Sequence, residues 1–182
     1  MRIISGKYRG KKILQPRDKA TRPLKDLTKE SIFNIIAHSN KFNVVLEDSN
    51  ILDLFSGVGS FGLECLSRGS AKSTFVENYK EVLIILKKNI SSLNYEKEAI
   101  VIEKDILKTL DYRNFKEKFD IIFMDPPYKE KSLDLMLLQI LNNEGVIIIH
   151  RQKNEEDSFP KEFRIIEEKT YGISKVIFGK FN

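Results

Sequence analysis

Cysteine occurs once, at Cys65, so no disulfide framework holds this chain, and its place in an apolar stretch points to packing. Histidine occurs twice, at His38 and His150, isolated from one another and from any ligand cluster. No metal is therefore expected, and neither histidine is assigned to proton transfer. No apolar run approaches the roughly 18–20 residues that cross a bilayer. The opening MRIISGKYRGKK lacks the apolar core of a secretory leader, and no low-complexity tract or solenoid-period repeat is present. A reducing, cytoplasmic location without membrane or metal is the expectation these absences leave.

What is present is 182 residues, 41% hydrophobic and 31% charged, the balance of a globular protein able to bury a core. The charge is unevenly placed. Residues 1–29 carry ten Lys or Arg against Asp18 and Asp26, a net +8, while the rest of the chain sums to −3. All of the net +5 thus lies at the N-terminus. Such a segment is either a solubilising tail or a face for a polyanion. Interleaved Ile3, Ile4, Tyr8, Ile13 and Leu14 argue that it folds, and Gly6 and Gly10 suit the turns of a small hairpin between RIIS and KKIL. Nucleic acid is the expected partner, with Arg2, Lys7, Arg9, Lys11 and Lys12 as contacts and Arg22 facing either a nucleic-acid phosphate or a cofactor carboxylate.

RPLKDLTKESIFNIIAHS reads as a helix, with Pro23 in its first turn and Leu27, Ile32, Phe33, Ile35 and Ile36 on its apolar face. From residue 50 short apolar runs alternate with helical stretches. Strands are expected at 50–55, 72–77, 99–105, 119–125 and 145–150, and helices at 60–69, 79–94 and 131–145. Near-continuous Ile/Val/Leu runs mark strands covered on both faces of a mainly parallel sheet. The tail FRIIEEKTYGISKVIFGKF holds two further strand-like runs about Tyr171-Gly172, an antiparallel pair at the sheet edge. The fold class is α/β, a doubly wound Rossmann-like sheet over residues 49–182, preceded by a basic hairpin and helix over 1–48. A monomer is expected.

LDLFSGVGSFG places Gly57, Gly59 and Gly62 at G-x-G-x-x-G spacing between a strand and a helix, and Glu77 ends the next strand. That pattern suits a nucleotide-type cofactor whose ribose hydroxyls meet the acid. Asp53 selects among cofactors. A carboxylate beside this turn repels the pyrophosphate of a dinucleotide and attracts the ammonium and sulfonium of S-adenosylmethionine. Asp53 could alternatively cap the turn. Asp105 either accepts the adenine amino group, with Ile106 against the ring, or caps the helical segment after it. Phe55 and Asn78, next to these acids, complete the cofactor set.

FDIIFMDPPYKE then ends a strand on Asp125, Pro126, Pro127 and Tyr128. A nucleobase amine is a poor nucleophile because its lone pair is delocalised into the ring. Two acceptors, the Asp125 carboxylate and the Pro126 carbonyl, can take its N–H bonds and turn that lone pair toward a methyl donor. The prolines fix the backbone, and Tyr128 offers a face for stacking. The bland alternative is a rigid turn with a rim aromatic.

DPPY after a buried strand, together with RIISGKYRGKKI, TRP, ESIFNII and LDLFSGVGSFGLECLSRG, resembles the RsmD family of bacterial small-subunit ribosomal RNA methyltransferases. The resemblance runs from Met1 to beyond Tyr128, with Tyr171-Gly172 fitting the family's last hairpin. It implies methylation of a guanine N2 in that RNA, with Asp53, Gly57, Gly59, Glu77, Asp125, Pro126, Pro127 and Tyr128 holding cofactor and base. LKDLTKES departs from the more arginine-rich helix start usual in the family. The alternatives are an adenine-N6 methyltransferase on DNA or RNA, an NAD-dependent oxidoreductase, which leaves Asp53 and Asp125–Tyr128 unused, and a non-catalytic RNA-binding protein.

Overall fold

A computed structural model describes residues 1–16, 24–126, 137–155 and 157–181. Its elements are α1 (Asp26–His38), β1 (Asn50–Leu54), α2 (Ser60–Ser67), β2 (Lys72–Glu77), α3 (Lys80–Ser92), β3 (Ala99–Glu103), a 3-10 turn (Tyr112–Asn114), β4 (Phe119–Met124), α4 (Leu137–Ile140), β5 (Leu141–Gln152), β6 (Phe163–Tyr171) and β7 (Ser174–Phe181). The seven strands form one sheet in the order β3-β2-β1-β4-β5-β7-β6. Strands β1 to β5 pair in parallel, and β7 runs antiparallel between β5 and β6. The chain winds outward from β1 to β3, then returns to the other side of β1 with β4. The switch point between β1 and β4 opens a crevice at their carboxyl ends.

Alternation along the central strands builds two apolar layers. Ile51, Ile121, Phe123 and Ile148 face Phe33, Ile36 and Phe61 on one side. Leu52, Leu54, Ile122, Met124 and Ile149 face Leu137 and Ile140 on the other. β1 and β4 are buried on both faces, as their unbroken apolar runs require. β3 departs from that expectation: Ile100 is exposed and Val101 half-buried, because β3 is the sheet edge.

The helix expected over 131–145 ends at Ile140, and Leu141 already pairs with Phe119 of β4. Asn142 donates through its side chain to Asp120, which itself accepts the Asn50 N–H at 2.8 Å. Sheet pairing and this polar tie outweigh the helical pattern; residues 131–136 lie outside the described ones. In α1 the expected Ile32, Phe33 and Ile36 are buried, while Leu27 is exposed and Thr28 and Lys29 are buried in its place. Pro23 falls outside the described residues.

The N-terminal hairpin forms as its sequence predicts, with an Arg2↔Lys12 bridge and Ile3 and Lys11 hydrogen-bonded at 2.9 Å. Gly6, at φ 80°, lies so close to the Ser67 carbonyl that a Cβ would stand 1.7 Å from its oxygen. The hairpin is bolted to α2: Glu64 accepts the Ile4 and Ser5 N–H groups at 2.7 and 2.9 Å, and Ser67 accepts Lys7 and Tyr8. Ile3 and Ile13 share an apolar cluster with Leu63, Leu66 and Phe75.

Candidate active site

Parallel pairing brings the ends of β1, β2 and β4 to one side of the sheet, and with them Asp53, Glu77 and Asp125. Asp53 is buried, and its Oδ2 accepts the Gly62 N–H at 2.9 Å. Gly62 lies in the first turn of α2, so Asp53 caps that helix, as the alternative reading allowed. Its side chain also lines a cleft with Phe55, Ser56, Gly57, Phe123 and Asp125. Burial pushes the Asp53 carboxyl well above the ordinary range, the Gly62 N–H opposes the shift, and the charges of Asp125 and Glu77 add to it. A cation bound here would restore its ionisation.

The glycine loop is shaped by crowding. A Cβ on Gly62 would stand 2.4 Å from the Phe75 ring, and one on Gly59, at φ 83°, 2.5 Å from the Leu86 side chain. Phe55 holds a left-handed backbone at φ 58°, a conformation costing a non-glycine residue of order 1–3 kcal/mol and concentrated at functional sites.

Glu77 is less free than the sequence suggests. Oε2 accepts the Gly57 N–H, and Oε1 accepts the Asn78 and Tyr79 N–H groups, each at 2.9 Å. Three bonds of the roughly four a carboxylate accepts thus go to backbone, so Glu77 braces the glycine loop and Oε2 keeps room for one further donor. Asn78 reaches this network through its backbone. Asp105 adopts its capping alternative: Oδ1 accepts the Leu107 N–H at 3.0 Å, and its carbonyl accepts Thr109 and Leu110. Ile106 packs at the margin of the second apolar layer. Neither Asp105 nor Ile106 lines the cleft shared by Asp53 and Asp125.

Asp125 follows β4, and Pro126 behind it is buried. Pro127, Tyr128 and Arg22 lie outside the described residues. Two features escape a reading of the sequence. His150 Nδ1 lies 2.9 Å from Asp125 Oδ1, which only the β4–β5 register could have revealed. Asn89 on α3 is fully buried: it accepts the Leu14 N–H at 2.8 Å and donates to the carbonyls of Leu14 and Val58. It thereby ties the basic segment to the glycine loop.

Of the basic residues, Arg2, Lys7, Arg9, Lys11 and Lys12 are exposed. Lys29, counted in the same basic segment, is not: its ammonium is fully buried, donates to the Arg2 carbonyl at 2.7 Å and pairs with Glu64 at 3.4 Å. Desolvation lowers its pKa, against the pull of Glu64 and Asp26. Met1, Gln15 and Pro16 of the N-terminal segment line the same cleft as the acids.

The doubly wound sheet, with a glycine turn after β1 and acids at the ends of β1, β2 and β4, is the fold of a methyltransferase, the class to which the relatives of this chain belong. The chain belongs to the family described as Conserved hypothetical protein 95, whose model matches residues 1–180. It is 34% identical over 179 residues to the ribosomal RNA small subunit methyltransferase D of Haemophilus influenzae, covering 95% of this chain and 90% of that one. The protein of the same name from Escherichia coli is 30% identical over 88% of this chain and 78% of its own length. Among solved structures, Escherichia coli yhhF, named provisionally as a methyltransferase, superposes with a TM-score of 0.77 at 27% identity, covering 100% and 97% of the two chains. A hypothetical protein of Thermus thermophilus shares the fold, with a TM-score of 0.75 at 24% identity over 98% of each chain.

Proposed function

We propose that the protein methylates the exocyclic N2 amino group of a guanine in small-subunit ribosomal RNA. The observation that carries this is the convergence of Asp53 and Asp125 on one cleft, with the basic N-terminal segment forming part of its wall. S-adenosylmethionine supplies a methyl group on a sulfonium, a good leaving group that calls for alignment more than for a strong base. The residues fit it. The charges of Asp125 and Glu77 around Asp53 favour a positively charged ligand, whose binding ionises Asp53 in turn, and disfavour a pyrophosphate. Gly57 and Gly59 bring backbone close to the ligand, with Glu77 holding the loop.

Asp125 and the Pro126 carbonyl accept the two N–H bonds of the target amine and aim its lone pair. Electrostatic preorganisation of this kind supplies much of such a rate enhancement. Tyr128, with Pro127 beside it in the motif, is assigned to stack on the base, which must leave its helix to reach a donor at a sheet end. Arg2, Lys7, Arg9, Lys11 and Lys12 hold the RNA backbone, joined by Arg22. The names of the curated relatives support ribosomal RNA as substrate. The enzyme acts as a cytoplasmic monomer without a metal ion.

The test is to incubate the protein and labelled donor with small ribosomal subunits from cells lacking the enzyme, then digest the RNA to nucleosides. N2-methylguanosine at one position is expected. N6-methyladenosine, or no transfer to RNA, overturns the reading.

A further inference from the structure

No motif in the chain includes His150, yet its ring sits against the residue to which the chemistry is assigned. Met124 pairs with Ile149 in the parallel β4–β5 ladder, so Asp125 and His150 are the next neighbours along it. Phe123 and Ile148, two residues back on each strand, both face the layer containing Phe61. Alternation turns Asp125 and His150 toward that same face, where Phe123 and Phe61 stack at 4.1 Å in the wall of the cleft.

The Nδ1–Oδ1 separation of 2.9 Å is that of a hydrogen bond. A carboxylate offers only acceptors, so in the tautomer that bonds one the hydrogen is on Nδ1. Nε2 is buried and has no partner among the described residues. The ring is 14% exposed and Asp125 28%, so the imidazole is enclosed while the carboxylate still meets solvent. The terminal torsion of an aspartate is broad and two-fold, and nothing intrinsic fixes which way its oxygens point. A donor on Oδ1 removes that freedom and leaves Oδ2 for an incoming N–H.

We propose that His150 is a positioning residue: its Nδ1–H holds Oδ1 of Asp125 so that Oδ2 meets the target amine in the orientation that aims the lone pair. The inference rests on the assignment of Asp125 as the amine acceptor. A purely structural bond between β4 and β5 would instead contribute to stability and leave turnover alone.

His150→Leu removes the donor, and His150→Asn places an amide nitrogen near the position of Nδ1. Single-turnover methyl transfer to the RNA is measured per cofactor-bound enzyme, so a variant that folds less well is judged on its folded fraction. Turnover of His150→Leu should fall about 10-fold to 100-fold, the range typical for loss of an orienting partner, with donor affinity unchanged. His150→Asn should recover most of the loss. Unchanged turnover in the Leu variant, or an Asn variant no better than Leu, overturns the proposal. Asp125→Ala, run in parallel, separates the two claims. Should it keep full turnover, the assignment of Asp125 falls and takes this inference with it. An inactive Asp125→Ala beside a fully active His150→Leu sinks the inference alone.

Discussion

Buried at the end of β1, the Asp53 carboxyl is raised by desolvation and, against the Gly62 N–H, further by Asp125 and Glu77. A carboxyl whose folded value lies above its unfolded one stabilises the fold fully below the ordinary carboxyl range. That contribution is lost as pH rises through the raised value. Binding of a cation runs the other way, because it favours the ionised form and must expel the proton. Donor affinity should therefore tighten as pH climbs from the ordinary carboxyl range to the raised value and level off above it. Calorimetry with S-adenosylmethionine across that interval checks this. Asp53→Asn should flatten the profile and weaken binding throughout, and NAD should not bind to the wild type. A flat wild-type profile, or a preference for NAD, would reverse the reading of Asp53.

At the scale of elements, α2 joins the two halves of the function. Its N-terminus is capped by Asp53, while its Glu64 holds the hairpin backbone, Arg68 and Lys29. A buried ammonium is tolerable only because Glu64 and the Arg2 carbonyl receive it. Removing one partner of a buried pair strands the other charge, at a cost of about 3–5 kcal/mol. Lys29→Met leaves Glu64 with Arg68 and two backbone N–H groups, so it should lose less than that in urea denaturation, and the salt dependence of RNA binding should be unaltered because this cation never meets solvent. A stable Lys29→Met protein with a shallower salt slope would place Lys29 among the RNA contacts after all. The same element-level competition ends α4 early, where β4 recruits Leu141 into the ladder.

Across the whole molecule, the asymmetry of charge becomes a surface once the hairpin docks. Exposed Arg2, Lys7, Arg9, Lys11 and Lys12 occupy the segment whose ends, Met1 and Gln15-Pro16, form part of the cleft wall. Asn89 links that segment to the glycine loop, so the RNA-facing part and the donor-facing part share one buried amide. Replacing Lys11 and Lys12 together by Glu should weaken RNA binding and reduce the slope of log affinity against log salt. The reduction should be about 0.7–0.9 for each phosphate left without its cation. Donor affinity should be unchanged. An unaltered slope would make these lysines a solubilising patch.

Legible in consecutive residues were the strand-and-helix alternation, the hairpin of RIIS and KKIL with Gly6 and Gly10 in its turns, and the glycine turn with an acid on either side. These are local: apolar runs, glycine spacing and strand-terminal carboxylates are written in consecutive residues. Only the packed fold shows that Lys29 is buried, that Glu77 braces the glycine loop, that Asp105 caps the turn after β3, and that His150 meets Asp125. Each of those depends on which strand lies beside which and in what register. Hydrogen bonds across 20 or more residues, such as Glu77 to Gly57 or His150 to Asp125, carry no mark in the residues that flank them.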